Sequence, residues 1–218
     1  MYASALLSAT PHAFTGASDG DHRPGADPTA EARLLARLGG AGGVRRVTQV
    51  HGARVVHLDD ASLAVEADAI LSTVPGAVVA VRVADCVPVL LAAPGGVAAI
   101  HAGWRGTAAD IVRAGLDALL RATGARPADV RAAVGPCICG ACYEVGDDVL
   151  RGVGAVAPGD SWRVGERNVD LAEANAAILR AEGVAVDVLG LCTRCTPGFW
   201  SYRRDGAAGG RQVGAIRL

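Results

Sequence analysis

Between Val44 and His101 the chain runs through six short apolar stretches: Val44–Val50, Ala53–Leu58, Ala69–Leu71, Ala77–Val83, Val87–Ala92 and Val97–Ile100. Each has the length and the β-branched composition of a strand, and Gly, Pro or Asp punctuates them. The rings available to fill a core are few: aromatic residues make up 4% of the 218 residues, against 51% hydrophobic residues overall. Thin, closely packed layers of Ala, Val and Leu follow.

Helical patterns flank the strand region. Asp27 and Pro28 offer an N-cap and a first-turn proline for a helix to Leu38, stopped by Gly39 and Gly40. Thr107 with Asp110 predicts a capping box for a helix to Thr123, and Asp170 with Glu173 one for a helix to Glu182. A short helix is expected near Asp147–Val153. Further strands are expected at Val130–Val134, Val184–Leu189 and Gln212–Ile216. The segment 14–28, rich in Gly, Asp, Ser and Pro, reads as a flexible loop. No internal repeat or linker divides the chain. The expectation is one mixed α/β (α+β) domain over residues 1–218, a large mixed sheet flanked by about four helices.

Charge excludes some partners. Twenty-one cations against 22 anions leave a net −1, and all the cations are Arg because the chain has no Lys. That balance argues against a nucleic-acid partner, and the absence of Lys removes Schiff-base chemistry. Residues Met1–Phe14 lack a cationic region followed by an apolar run, which predicts a cytoplasmic protein. Pro88, Pro94, Gly95 and Gly96 break the longest apolar stretch, so no membrane association is expected. In a reducing compartment the six cysteines read as ligands, nucleophiles or buried small residues, not bridges.

Three metal-competent residues, His51, Cys86 and His101, each stand at the end of an apolar run. Parallel neighbouring strands would bring them together at one sheet edge. Two imidazoles and one thiolate suit zinc and leave a fourth position for water or substrate. Asp85 can orient a ligand or simply make a turn. After His101 come Gly103, Trp104, Arg105 and Gly106 ahead of a helix start expected at Thr107, which reads as an anion pocket beside the metal.

The segments Gln49–Gly52, Ala84–Pro88, His101–Gly106, Gly135–Ile138 with Cys142–Val145, and Trp200–Gly206 occur in an order that resembles the polyphenol oxidase, or laccase-domain, family. This resemblance runs from His51 to Arg211. It implies that His51, Cys86 and His101 bind the metal, normally zinc. It also implies a fold similar to the catalytic domain of cytotoxic necrotizing factor. The implied activities are phosphorolysis of adenosine, inosine and methylthioadenosine, and adenosine deamination. Others in the family are removal of L-Ser from a UDP-MurNAc precursor during peptidoglycan editing and an older copper-dependent phenol oxidation. Small-molecule substrate and phosphate are the expected partners.

Catalytic candidates are Arg105, Arg203 and Arg204 as anion holders and Glu144 as a base, with Gly103, Trp104, Gly106 and Asp205 around the substrate. Two readings compete with the metal enzyme: Cys86 as a nucleophile with His101 as its base, and a non-catalytic zinc-binding protein. Multicopper oxidation is disfavoured because only five His exist. The chain departs from the family pattern at Phe14-Thr15-Gly16-Ala17, which lacks an early Arg, at Gly209-Gly210-Arg211, and at Cys139. Cys137, Cys139, Cys142, Cys192 and Cys195 contain two C-x2-C pairs able to build a four-thiolate site. Their match to ordinary loop cysteines of the family favours thiols lining or packing near the pocket.

Overall fold

The computed structural model describes residues 1–40, 42–58 and 65–218. Strands β1 (His12–Phe14), β2 (Val44–Arg45), β3 (Val55–His57), β4 (Ala69–Ser72), β5 (Val78–Val83), β6 (Val87–Ala93) and β7 (Gly96–Ala102) fill the first half, with helix α1 (Pro28–Leu38) after β1. Helices α2 (Trp104–Ala108) and α3 (Ile111–Thr123) precede β8 (Arg131–Val134) and α4 (Asp147–Gly154). The hairpin of β9 (Arg163–Val164) and β10 (Asn168–Val169), then α5 (Leu171–Ala181), β11 (Ala185–Val188), α6 (Tyr202–Asp205) and β12 (Gln212–Arg217) complete the chain. No helix among the described residues is long and apolar enough to cross a membrane.

The strands form two larger sheets where one was expected. A six-stranded sheet has the order β11-β8-β6-β7-β4-β3, and a four-stranded sheet the order β1-β12-β5-β2. Alternation along the central strands shows why the runs read as continuously apolar. On β6, Val89 and Leu91 face a core with Leu116 and Leu119 of α3 and Ile178 of α5, while Leu90 and Ala92 face a second core against Val79 and Val81 of β5. On β5, Val78 and Ala80 face a third core against Leu34 and Leu38 of α1. The order of layers is therefore α1, four-stranded sheet, six-stranded sheet, then α3 and α5. Both faces of each sheet are covered, and which layer covers which face is what a single apolar run cannot reveal.

Helix ends follow local chemistry in two cases and depart from it in a third. Asp27 accepts from the Thr29 amide at the start of α1, and Asp170 accepts from the Glu173 amide at the start of α5. The expected box at Thr107 does not form. Its hydroxyl instead meets Asn175, a fully buried side chain of α5, and the chain turns through Asp110 in a left-handed conformation (φ 60°) between α2 and α3. A buried amide without a partner is costly, so the tertiary bond takes the hydroxyl away from the cap.

Segment 14–28 lacks periodicity but is tied to the body. Phe14 pairs with Gly214, the Ala17 amide donates to the Gly198 carbonyl, and the Arg211 amide donates to Asp21. His22 in this segment is only 6% exposed. Burial first, then the nearby Arg46 cation, lower its pKa from 6.5 to about 4. Between those values the unfolded chain binds a proton that the folded chain refuses, so stability falls as pH drops through that window, by up to about 3 kcal/mol. Urea midpoints at pH 7 and pH 5 should show a smaller acid loss for His22→Gln than for the natural chain.

Candidate metal centre and cavity

His51, Cys86 and His101 come together, though not by the route expected. Their strands are neither parallel neighbours nor in one sheet. Cys86 lies in the crossing from β5 to β6, His101 lies inside β7 rather than beyond it, and His51 sits on the loop after β2. Antiparallel pairing of β6 with β7 sets Pro88 opposite His101 and Val87 opposite Ala102, which brings the start of one strand to the end of the other. The side chain of Gln49 exchanges two hydrogen bonds with the Arg82 backbone (2.7 and 2.8 Å), docking the His51 loop against β5.

The three candidate ligand atoms all lie within 4.8 Å of one another. Cys86 Sγ is 3.9 Å from His51 Nε2, and the two imidazoles meet edge to face at 4.8 Å between centroids. Close packing explains one glycine here: a Cβ on Gly103 would stand 2.9 Å from the His51 ring and 3.1 Å from Cys86 Sγ. His51 itself has φ 62°, a left-handed backbone that β-substituted residues adopt rarely.

Asp68 organises the centre, and the residue pattern did not single it out. Fully buried just before β4, its carboxylate accepts from the amides of Val50 (3.3 Å), His51 (2.9 Å) and Gly52 (2.7 Å) and from His101 Nδ1 (2.8 Å). One group thus shapes the His51 loop and holds the His101 proton on Nδ1, leaving Nε2 for a ligand. The only signal in the chain was an acid embedded in an apolar run, Ala67-Asp68-Ala69-Ile70. Burial works to raise the Asp68 pKa, but the His101 bond and the amides outweigh it and hold the carboxyl below its usual value.

Electrostatics favour a deprotonated thiol. Burial would raise the Cys86 pKa, yet His101 and His51 beside it bring it down to about 6. Burial acts the other way on His101, and the Cys86 and Asp68 charges carry it up to about 9. Metal binding requires the Cys86 thiolate and a neutral His101, so loading an ion releases the proton that the pair holds.

A cavity of about 780 Å³ opens onto the three residues. Arg23, Arg82, Arg105, Arg203 and Arg211 line it, together with Trp104, Tyr143 and Tyr202. Arginine and ring are paired: Arg105 stacks on Trp104 (4.5 Å), Arg203 on Tyr143 (5.2 Å) and Arg211 on Tyr202 (5.7 Å). Arg23 comes from the segment that lacks the family's early Arg. Burial pushes Tyr143 up to about 12, so it stays a neutral hydroxyl.

Other expected site residues fall elsewhere. Arg204 gives its donors to Asp205 and to the carbonyls of Thr193, Arg194 and Phe199, and neither it nor Asp205 lines the cavity. Glu144 is exposed and also outside the lining; its carbonyl accepts from Arg203. Gly103 and Gly106 are packing positions, not lining ones; a Cβ on Gly106 would stand 3.1 Å from the Gly52 carbonyl. The anion pocket cannot lean on a helix dipole either, since α2 has five residues. Asp85, with φ 83°, holds the other wall rather than a ligand: it accepts from Thr193 Oγ1 (2.6 Å), Ser201 Oγ (3.1 Å) and the Arg203 amide (2.6 Å). None of Cys137, Cys139, Cys142, Cys192 or Cys195 lines the cavity.

The chain is similar to known proteins over most of its length. A purine nucleoside phosphorylase of Deinococcus radiodurans is 42% identical, over 96% of this chain and 90% of its own length. Adenosine deaminase RL5, from an unknown prokaryotic organism, is 37% identical over 75% of this chain and 67% of its length. The crystal structure of YlmD from Geobacillus stearothermophilus superposes with a TM-score of 0.84 at 29% identity, covering 98% of this chain and 93% of that one. Residues 16–218 match the family described as multi-copper polyphenol oxidoreductase laccase, and the chain belongs to that family.

Proposed function

We propose that this protein is a zinc enzyme of purine nucleosides, cleaving adenosine, inosine and methylthioadenosine by phosphorolysis and deaminating adenosine. The observation that carries the reading is a single cavity joining His51, Cys86 and His101 to five arginines and three aromatic rings. The relatives named purine nucleoside phosphorylase and adenosine deaminase support it.

The donor set fits zinc: two imidazoles and a low-pKa thiol, with one ring oriented by a buried carboxylate. It does not fit a multicopper oxidase. His12 is bonded to the Ser4 amide and the Thr10 carbonyl, and His57 to Thr73, so among the described residues only His51 and His101 join a metal-competent cluster. When bound, zinc supplies Lewis-acid polarisation of substrate or water.

In this reading the arginines hold phosphate and the rings hold the flat base. Arg105 and Arg203 are pre-set by stacking, so little side-chain entropy is lost on binding an anion. In phosphorolysis a phosphate oxygen forms the bond to C1′ as the glycosidic bond breaks, and the purine nitrogen takes up the proton that the hydrogen phosphate gives up. The nucleophile is already anionic, so phosphorolysis needs no protein base, and Glu144, Arg204 and Asp205, which lie outside the cavity lining, have no part in the proposal. In deamination, water adds at C6, one of its protons going to N1 and the other to the amino group, which leaves as ammonia.

The test is product analysis with adenosine plus phosphate, with adenosine alone, and with seryl and alanyl muramyl precursors. Ribose 1-phosphate and adenine are expected from the first, inosine from the second. Turnover of the seryl precursor far above that of adenosine would replace this reading with peptidoglycan editing. Arg105→Ala should raise the phosphate KM by about 10-fold or more, as for loss of a charge-assisted bond, with a smaller change in nucleoside KM. Initial rates at varied phosphate measure it.

A further inference from the structure

Four cysteines that the cavity does not use meet at one point. β8 and β11 are parallel neighbours, with Val134 opposite Val188, so the loops leaving their ends run side by side. A bridge between Cys137 and Cys192 continues the pairing into those loops. Cys139 and Cys142 follow on one loop, Cys192 and Cys195 on the other, and all four sulfurs lie within 4.8 Å of one another. No disulfide joins any of them. Four ligands about 2.3 Å from a tetrahedral zinc would stand roughly 3.8 Å apart, so a small contraction would close the site.

One backbone amide is turned to the cluster: that of Cys139 donates to Cys192 Sγ at 3.4 Å. Thiols packed only as small hydrophobic groups require neither such a donor nor a meeting of four from two loops. Cys137 stands apart: it is buried and outside the cluster.

We propose that Cys139, Cys142, Cys192 and Cys195 form a closed tetrathiolate zinc site, distinct from His51–Cys86–His101. Four protein ligands leave no position for water or substrate, so the site is structural. Its effect reaches the cavity through the two loops it ties. Ile138 and Tyr143 on the first loop line the cavity, and Thr193 on the second holds Asp85, which fixes the Arg203 amide. The ion takes the place that a cross-link between the loops would otherwise fill.

Zinc content and cobalt spectra of chains purified under reducing conditions test this. Cys86→Ser, disabled at the other centre, should retain one zinc per chain, and its cobalt form should show the sulfur-to-metal charge transfer and intense visible bands of a tetrathiolate. The double variant Cys139→Ser/Cys142→Ser should hold one zinc fewer than the natural chain. A folded Cys86→Ser chain with no zinc and no such spectrum overturns the proposal, as does a disulfide among these four found by mass spectrometry. Because the main reading uses Cys86→Ser in a site of its own, failure of the nucleoside assay leaves this result untouched. The Cys86→Ser measurement also decides the matter if the double variant does not fold.

Discussion

Cys86→Ser is expected to remove metal from the His51–Cys86–His101 centre and to lower phosphorolysis on the order of a thousandfold, the scale of losing several kcal/mol of Lewis-acid stabilisation. Serine is nearly isosteric, so the turn between β5 and β6 should survive. What is lost is an anionic donor: the Cys86 thiol has its pKa lowered to about 6, whereas a serine hydroxyl stays protonated at neutral pH. Metal analysis, circular dichroism and initial rates on the same sample check the three parts of the expectation. Full activity in a variant whose His51–Cys86–His101 centre has lost its zinc would end the zinc reading. Chelation of the natural enzyme separates the alternative in which Cys86 is a nucleophile and His101 its base: that chemistry would survive removal of the ion.

Asp68→Ala should be the most destabilising single change at the centre, by roughly 3–5 kcal/mol. It would leave three amides and the buried His101 without their common acceptor. Asp68→Asn separates positioning from folding. The amide keeps the volume and some acceptor capacity but no longer holds a charged acceptor at His101 Nδ1. Zinc affinity should fall by about 10- to 100-fold, the usual cost of losing the group that orients a ligand. Urea denaturation reads the first effect and competition with a chromophoric chelator the second. A chain with Asn at this position that binds zinc as tightly as the natural one would deny Asp68 its positioning role.

Much of the local architecture was legible. The Asp27-Pro28 start of α1 and the Asp170 cap of α5 depend on neighbours in the chain, so they could be read directly. Thr107 misled because its hydroxyl serves a residue far along the chain, Asn175. The five-motif resemblance located His51, Cys86 and His101, but the convergence argument from parallel strand ends was wrong in detail. Antiparallel β6 and β7 and a docked loop bring them together. Arg204 and Asp205, next to Arg203 in the same motif, turn out to brace the backbone outside the cavity. Neighbouring residues in a helical turn point different ways, and a motif does not say which one enters the site.

By itself the sequence determined the starts of α1 and α5, the strand-rich core built of Ala, Val and Leu, and the residue types able to hold a metal, while its ordered motifs carried the family resemblance. Caps, periodicity and composition act within a few residues. Tertiary structure alone decided the division of the strands into two sheets, the burial of Asp68 beside His101, the ring of arginines and the meeting of four cysteines from two loops. Each of these depends on which apolar run pairs with which. Runs of similar length and hydrophobicity are interchangeable until packing on both faces selects one register.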